Sequence, residues 1–143
     1  MVVEERGTFN VGEWAERSLK IDDEYIRRFA DLTQDTNPIH LDEAFALESW
    51  FGGRIAHGMI AANLISAVLG SMLPGPGSIY FSQNLEFRAP VRPGDTVTAR
   101  AMITRWYPKK GRVILSTEVR NQENVVVVTG KAILIMSSFL RRR

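Results

Sequence analysis

Gly58-Met59-Ile60-Ala61-Ala62-Asn63-Leu64-Ile65-Ser66-Ala67-Val68-Leu69-Gly70-Ser71 reads as one helix with almost no polar face. A helix that is apolar nearly all round must be enclosed by other elements of its own fold. Carried on to Leu73, the run still includes Asn63, Ser66 and Ser71 and falls short of the roughly 20 apolar residues that span a bilayer. It is therefore expected to be the central helix of a soluble protein rather than a membrane anchor.

The candidates for enclosing it follow directly. Residues 78–88, 96–107, 112–121 and 125–136 read as four strands, broken by Arg92-Pro93-Gly94-Asp95, Lys109-Lys110-Gly111 and Gln122-Glu123-Asn124. In the second of these, Val97, Ala99, Ala101 and Ile103 alternate with Thr96, Thr98, Arg100 and Thr104, the period of a sheet with one buried face. Short connections between consecutive strands favour antiparallel pairing. The expected fold is α+β: a single domain over residues 1–143 in which a curved antiparallel sheet wraps a long apolar central helix, the hot-dog architecture.

Upstream of residue 58 the chain reads as helical. Asp22-Asp23-Glu24 places a cap and carboxylates where a helix dipole is positive, and Tyr25, Ile26, Phe29, Ala30 and Leu32 recur at helical spacing. That helix should end by Gln34, because Asn37 precedes a proline and is pushed towards extended backbone. Asp42 is expected to cap a shorter helix running through Phe45 and Leu47 towards Trp50 and Phe51, stopped by Gly52-Gly53.

Composition narrows the function classes. The net charge of +2 comes from 18 basic and 16 acidic side chains, and three of the basic ones are Arg141, Arg142 and Arg143 at the end of a basic tail over 139–143. No basic stripe is interleaved with aromatics, so no nucleic-acid partner is expected. The chain has no cysteine, which removes disulfide and thiolate chemistry and fits a cytoplasmic protein, and Met1-Val2-Val3-Glu4-Glu5-Arg6 lacks the apolar stretch of a signal peptide.

Two stretches carry chemistry. In Asp35-Thr36-Asn37-Pro38-Ile39-His40 a carboxylate and an imidazole stand five positions apart around a proline, and a fixed pair of that kind can hold a water and shuttle its protons. His57, the only other histidine, opens His57-Gly58-Met59 at the head of the apolar helix. Each residue also has a plainer reading: Asp35 closing a turn, Asn37-Pro38 as ordinary bend chemistry, His40 as a satisfied loop histidine, His57 bonded near the helix head, and Ser66 bonding back to its own helix. Two histidines 17 positions apart with Asp35 and Asp42 match no ligand spacing, so no metal is expected.

Taken in order, Asp35-x-Asn37-Pro38-x-His40, His57-Gly58-Met59, Gly77-Ser78-Ile79-Tyr80 and Val91-Arg92-Pro93-Gly94-Asp95 resemble the MaoC-like, (R)-specific enoyl-CoA hydratase family over most of the chain. The resemblance implies that Asp35 and His40 hold the catalytic water and act as base and acid. It further implies that Gly58 gives its N–H to the thioester carbonyl in an oxyanion hole, and that Ser66, Asn37 and His57 support them. It implies a homodimer, or a dimer of dimers, with the substrate channel near the subunit interface.

The chemistry agrees with that pattern. Hydrating a 2-enoyl thioester needs a base, an acid and a donor to the enolate-like oxygen, and the free N–H groups of a helix start can supply the donor where glycine admits close approach. The expected reaction is the reversible syn hydration of trans-2-enoyl-CoA to the (R)-3-hydroxyacyl-CoA, with water as second substrate and no cofactor. It would serve fatty-acid breakdown or the supply of polyhydroxyalkanoate monomers. Phe45, Leu47, Trp50 and Phe51 are candidates for an acyl slot, and Arg54, Arg88, Lys109 and Lys110 for the CoA phosphates. The alternatives are a 3-hydroxyacyl-acyl-carrier-protein dehydratase, a hot-dog thioesterase and a non-enzymatic acyl-CoA-binding protein.

Overall fold

The computed structural model describes residues 3–140. Its elements are β1 (Trp14–Ile21), α1 (Asp23–Thr33), α2 (Pro38–Leu41), α3 (Glu43–Leu47), α4 (Gly58–Ser71), β2 (Ser78–Phe87), β3 (Asp95–Tyr107), β4 (Arg112–Arg120) and β5 (Val126–Met136), followed by a single 3₁₀ turn at Ser137–Phe139. The strands form one antiparallel sheet in the order β1-β3-β4-β5-β2. Bulges interrupt it between Tyr80 and Ser82 and between Ile103 and Arg105, and such extra residues bend a strand and help the sheet curl.

The central helix lies in the hollow of this sheet. Ile60, Ala61, Leu64, Ile65, Val68 and Leu69 of α4 are buried in one cluster with Val97, Ala99, Ala101 and Ile103 of β3, Val113, Leu115 and Val119 of β4, and Ala132, Leu134 and Met136 of β5. Ala61, Ala99 and Ala101 project little, so helix and sheet can approach closely while the larger side chains interdigitate around them. No helix among the described residues is long and apolar enough to cross a membrane.

Four expectations change. First, the sheet has a fifth strand, β1, on one edge. Trp14–Ile21 carries Glu16, Arg17 and Lys20 because most of it faces solvent, and its cross-strand partners, Ser18 Oγ to Thr98 Oγ1 at 2.7 Å and Glu16 to Arg100 at 3.0 Å, are polar. Second, β2 does not pair with the next strand in sequence: it crosses to the far edge beside β5. Third, the bend at Pro38 is itself a short helix, with Pro38 in its first turn and the Asn37 side chain accepting from Ile39 N–H at 3.2 Å. Fourth, α4 is not wrapped on every side, since Met59, Asn63 and Gly70 lie exposed along one stripe and Ser66 is half-buried on it. The sheet covers the opposite side.

The caps behave as the sequence suggests. The Asp22 carboxylate accepts from Tyr25 N–H at 2.8 Å, and α1 stops at Gln34, which adopts a left-handed conformation with φ 63°. Asp42 caps α3 through Phe45 N–H at 3.1 Å, but α3 ends at Leu47, leaving Trp50 and Phe51 in the turn that follows.

Candidate active site

Asp35 follows α1 and is anchored by its backbone. Its carbonyl accepts from His57 Nε2–H at 2.9 Å, while one carboxylate oxygen accepts from Asn37 N–H at 3.3 Å. The Asn37 side chain is used on α2, so this residue orients Asp35 through its backbone. The Asp35 carboxylate itself is exposed and open to water.

His40 sits on α2 and is 8% exposed. Its Nδ1–H donates to the Ile55 carbonyl at 2.8 Å, and in the neutral ring that leaves the lone pair on Nε2. Burial holds the His40 pKa below the usual 6.5; the neighbouring His57 ring acts in the same direction, against the Ile55 hydrogen bond and the Asp35 charge. His40 is thus a neutral base at physiological pH. Arg54 fastens its backbone, donating from Nε to the His40 carbonyl at 2.8 Å while its other end pairs with Asp23.

His57 joins the two. It is 3% exposed, its ring stacks on His40 with centroids 3.9 Å apart at 29°, and Phe29 packs on it at 5.0 Å. As the residue preceding α4, it also leads straight into Gly58. One carboxylate oxygen of Asp35 and one ring nitrogen from each histidine fall within 4.8 Å of one another. Three such atoms so close together can share one small ligand, a water or an ion.

Among the described residues no side chain caps the start of α4, and Gly58 opens on a cleft of about 420 Å³. This first cleft is lined by His40, His57 and Gly58, by Trp50, Phe51 and Ile55, and on the opposite wall by Phe87, Arg88, Ala89, Pro90 and Val91. A second cleft, of about 600 Å³, lies along the open stripe of α4 and contains Asp35, Met59, Ala62, Asn63 and Ser66 with Tyr80, Gln83 and Leu85 of β2. Asp35 and His40 therefore line different clefts, although a carboxylate oxygen of the one and a ring nitrogen of the other lie within 4.8 Å.

The structure brings Asp35, His40, His57 and Gly58 together and sets Ser66 in the cleft that holds Asp35. Of the apolar candidates, Trp50 and Phe51 line the first cleft, whereas Phe45 and Leu47 point to solvent from α3, whose only buried residue is Ala46. Arg88 lines the cleft with its guanidinium paired to Glu86 and donating to Thr129 Oγ1 at 3.3 Å, Arg54 is occupied with Asp23 and His40, and Lys109 and Lys110 lie in the β3–β4 turn outside both clefts. Sequence reasoning passed over Gln83, Leu85 and Phe87, although their period-2 spacing on β2 marks one face of a strand.

Comparison with known proteins follows the same lines. The family model described as MaoC like domain matches residues 12–127. An (R)-specific enoyl-CoA hydratase of Rhodospirillum rubrum is 46% identical over 125 residues, covering 87% of this chain and 86% of that protein. Another from Aeromonas caviae is 41% identical over 127 residues, covering 89% and 95%. Among solved structures, the unliganded (R)-hydratase PhaJ1 of Pseudomonas aeruginosa superposes with a TM-score of 0.84 at 41% identity, over 90% of this chain and 82% of that one.

Proposed function

Because this chain belongs to the MaoC-like dehydratase family, we propose that it is an (R)-specific enoyl-CoA hydratase whose water is held between Asp35 and His40. The convergence of those two groups beside an uncapped glycine helix start is the observation that carries the reading.

Water bound between the Asp35 carboxylate and His40 Nε2 attacks Cβ of the trans-2-enoyl thioester as the pair takes one of its protons. The negative charge that develops on the thioester oxygen is met by Gly58 N–H, where the first N–H groups of a helix lack intrahelical partners. The same pair returns a proton to Cα, so hydroxyl and hydrogen arrive on one face, and the substrate is held with the face of Cβ towards the water that gives the (R)-3-hydroxyacyl thioester. The reverse sequence is dehydration. His40 must be unprotonated to begin, and its burial supports that. Since Asp35 and His40 face different clefts, the reacting carbons lie at their junction, with the acyl chain on the side of Met59, Ala62 and Leu85.

The reading includes a homodimer. Among the described residues the outer edge of β2 has no strand partner, and Ile79, Tyr80, Phe81 and Phe87 on that strand are exposed beside the open stripe of α4, a surface that a second copy would cover.

Hydration of crotonyl-CoA, followed as loss of the ultraviolet absorbance of the enoyl thioester, ~10²–10⁴-fold slower in kcat/KM for Asp35→Ala and for His40→Ala, is the expected result. Wild-type rates in both variants would overturn the assignment.

A further inference from the structure

The geometry points to Trp50 as a carrier-side binding residue: its indole closes over the pantetheine arm of the thioester and does not touch the acyl chain. This rests on the hydratase reading and goes beyond it, because it assigns a direction to the substrate.

Trp50 is 92% exposed, yet it lines the same cleft as Gly58 and His40. An indole so free of packing contributes little to the fold, and a large apolar ring left bare at the rim of a functional cleft is a surface awaiting a ligand. The turn that carries it is held rigidly from below. Arg92 donates to the carbonyls of Phe51 at 2.7 Å, Gly53 at 3.2 Å and Arg54 at 3.4 Å, and the Ser49 hydroxyl donates to the Ala46 carbonyl at 2.6 Å. Phe51 stands edge-on to the indole with centroids 5.3 Å apart. The backbone is thus fixed while the ring remains available, so little ordering is lost when it is covered.

Direction follows from which group faces which cleft. With the thioester carbonyl at Gly58, one arm of the substrate must run along the first cleft towards Trp50 and Arg88, and the other past Asp35 into the second. The first cleft is otherwise apolar, but its rim carries the bare Trp50 indole and the Arg88 guanidinium, which pairs with Glu86 and is 57% exposed, and that rim suits an amide-bearing chain ending in phosphates. The second holds Met59, Ala62 and Leu85 beside Thr33, Asn63, Ser66, Tyr80 and Gln83, and takes the other arm, the acyl chain. An acyl slot beside Trp50 and Phe51, the expectation from sequence, would place the phosphates on the side of the carboxylate.

The test compares Trp50→Ala and Trp50→Phe with wild type on two series of trans-2-enoyl thioesters of increasing acyl length, one on CoA and one on N-acetylcysteamine, which lacks most of the pantetheine arm. On CoA thioesters Trp50→Ala should raise KM about tenfold with kcat nearly unchanged and by the same factor at each length, while Trp50→Phe retains most of the affinity. On N-acetylcysteamine thioesters the effect should shrink to less than about twofold, since the contact is already missing. An effect that grows with acyl length, or that persists on the truncated thioesters, would overturn the proposal, as would an unchanged KM on CoA. Failure of wild type to hydrate any member of either series would instead overturn the hydratase reading.

Discussion

Replacing Gly58 by alanine should separate catalysis from stability. The added Cβ would meet the Phe87 ring at 2.8 Å from Cε1 and 3.1 Å from Cδ1, too close for the ring to stay where it is. Phe87, however, is 55% exposed and its ring can swing outward. Gly58 has ordinary helical backbone, so alanine there carries no conformational penalty and gains up to ~1 kcal/mol of helix propensity. Clash and gain roughly offset, giving a Tm within about 4 °C of wild type. Activity has no such compensation. The methyl occupies the surface from which the thioester oxygen must reach the Gly58 N–H, and a misplacement of about 1 Å, or loss of one such donor, costs ~10²-fold or more. Crotonyl-CoA kinetics and thermal unfolding on one preparation decide the matter. A variant with kcat/KM within threefold of wild type would refute the role of Gly58, and a collapse in Tm would refute the inference that Phe87 can yield.

Because burial holds His40 below its ordinary pKa of 6.5, the acid limb of the kcat/KM profile should fall below pH 6.5; a limb at or above that value would exclude His40 as the titrating base. The same shift bears on stability. The unfolded chain takes up the proton near 6.5 and the folded chain only at lower pH, so stability is fully present above 6.5 and declines as pH falls towards the folded value. Urea unfolding should show that decline in wild type and a flatter response over the same window in His40→Gln. Light scattering on the purified protein should give a mass of at least twice the 16.1 kDa of one chain, and a monomeric mass at micromolar concentration would exclude the dimer.

The central helix was legible to the residue because its signal is continuous: fourteen positions with scarcely a polar break, bounded by glycine and by Pro74. β3, β4 and β5 were legible because one face of each is buried. β1 was not. Its outward face meets solvent and Arg17 interrupts the inward row of Ala15, Leu19 and Ile21, so the alternation in Trp14-Ala15-Glu16-Arg17-Ser18-Leu19-Lys20-Ile21 is broken and pairing with β3 makes it a strand. Asn37-Pro38 illustrates a different limit. The pair that restricts an extended bend also supplies a helix cap and a proline in the first turn, and only the chain beyond it decides between the two. Asp35 and His40 could be singled out only in combination, by their order with His57-Gly58-Met59 ahead of an apolar helix, whereas Phe45 and Leu47 could not be placed, since apolar side chains on a five-residue helix can serve either of its faces and here only Ala46 turns inward.

The least legible part of the site is what fixes its dimensions. Nothing in the spacing of His57 indicates that its Nε2–H will reach a backbone carbonyl 22 residues earlier, yet that bond ties Asp35 to the start of α4. The same ring lies face to face with His40, which the Ile55 carbonyl holds from the other side. Carboxylate, base and Gly58 N–H are therefore spaced through one imidazole: hydrogen-bonded to the first residue, stacked on the second and joined by a peptide bond to the third. By covering one face of His40, the stacked ring also adds to the burial that holds the base below its ordinary pKa and keeps its lone pair ready for the water. A residue that need not contact the reacting carbons in this way sets both the distance between the groups that do and the protonation state in which they start.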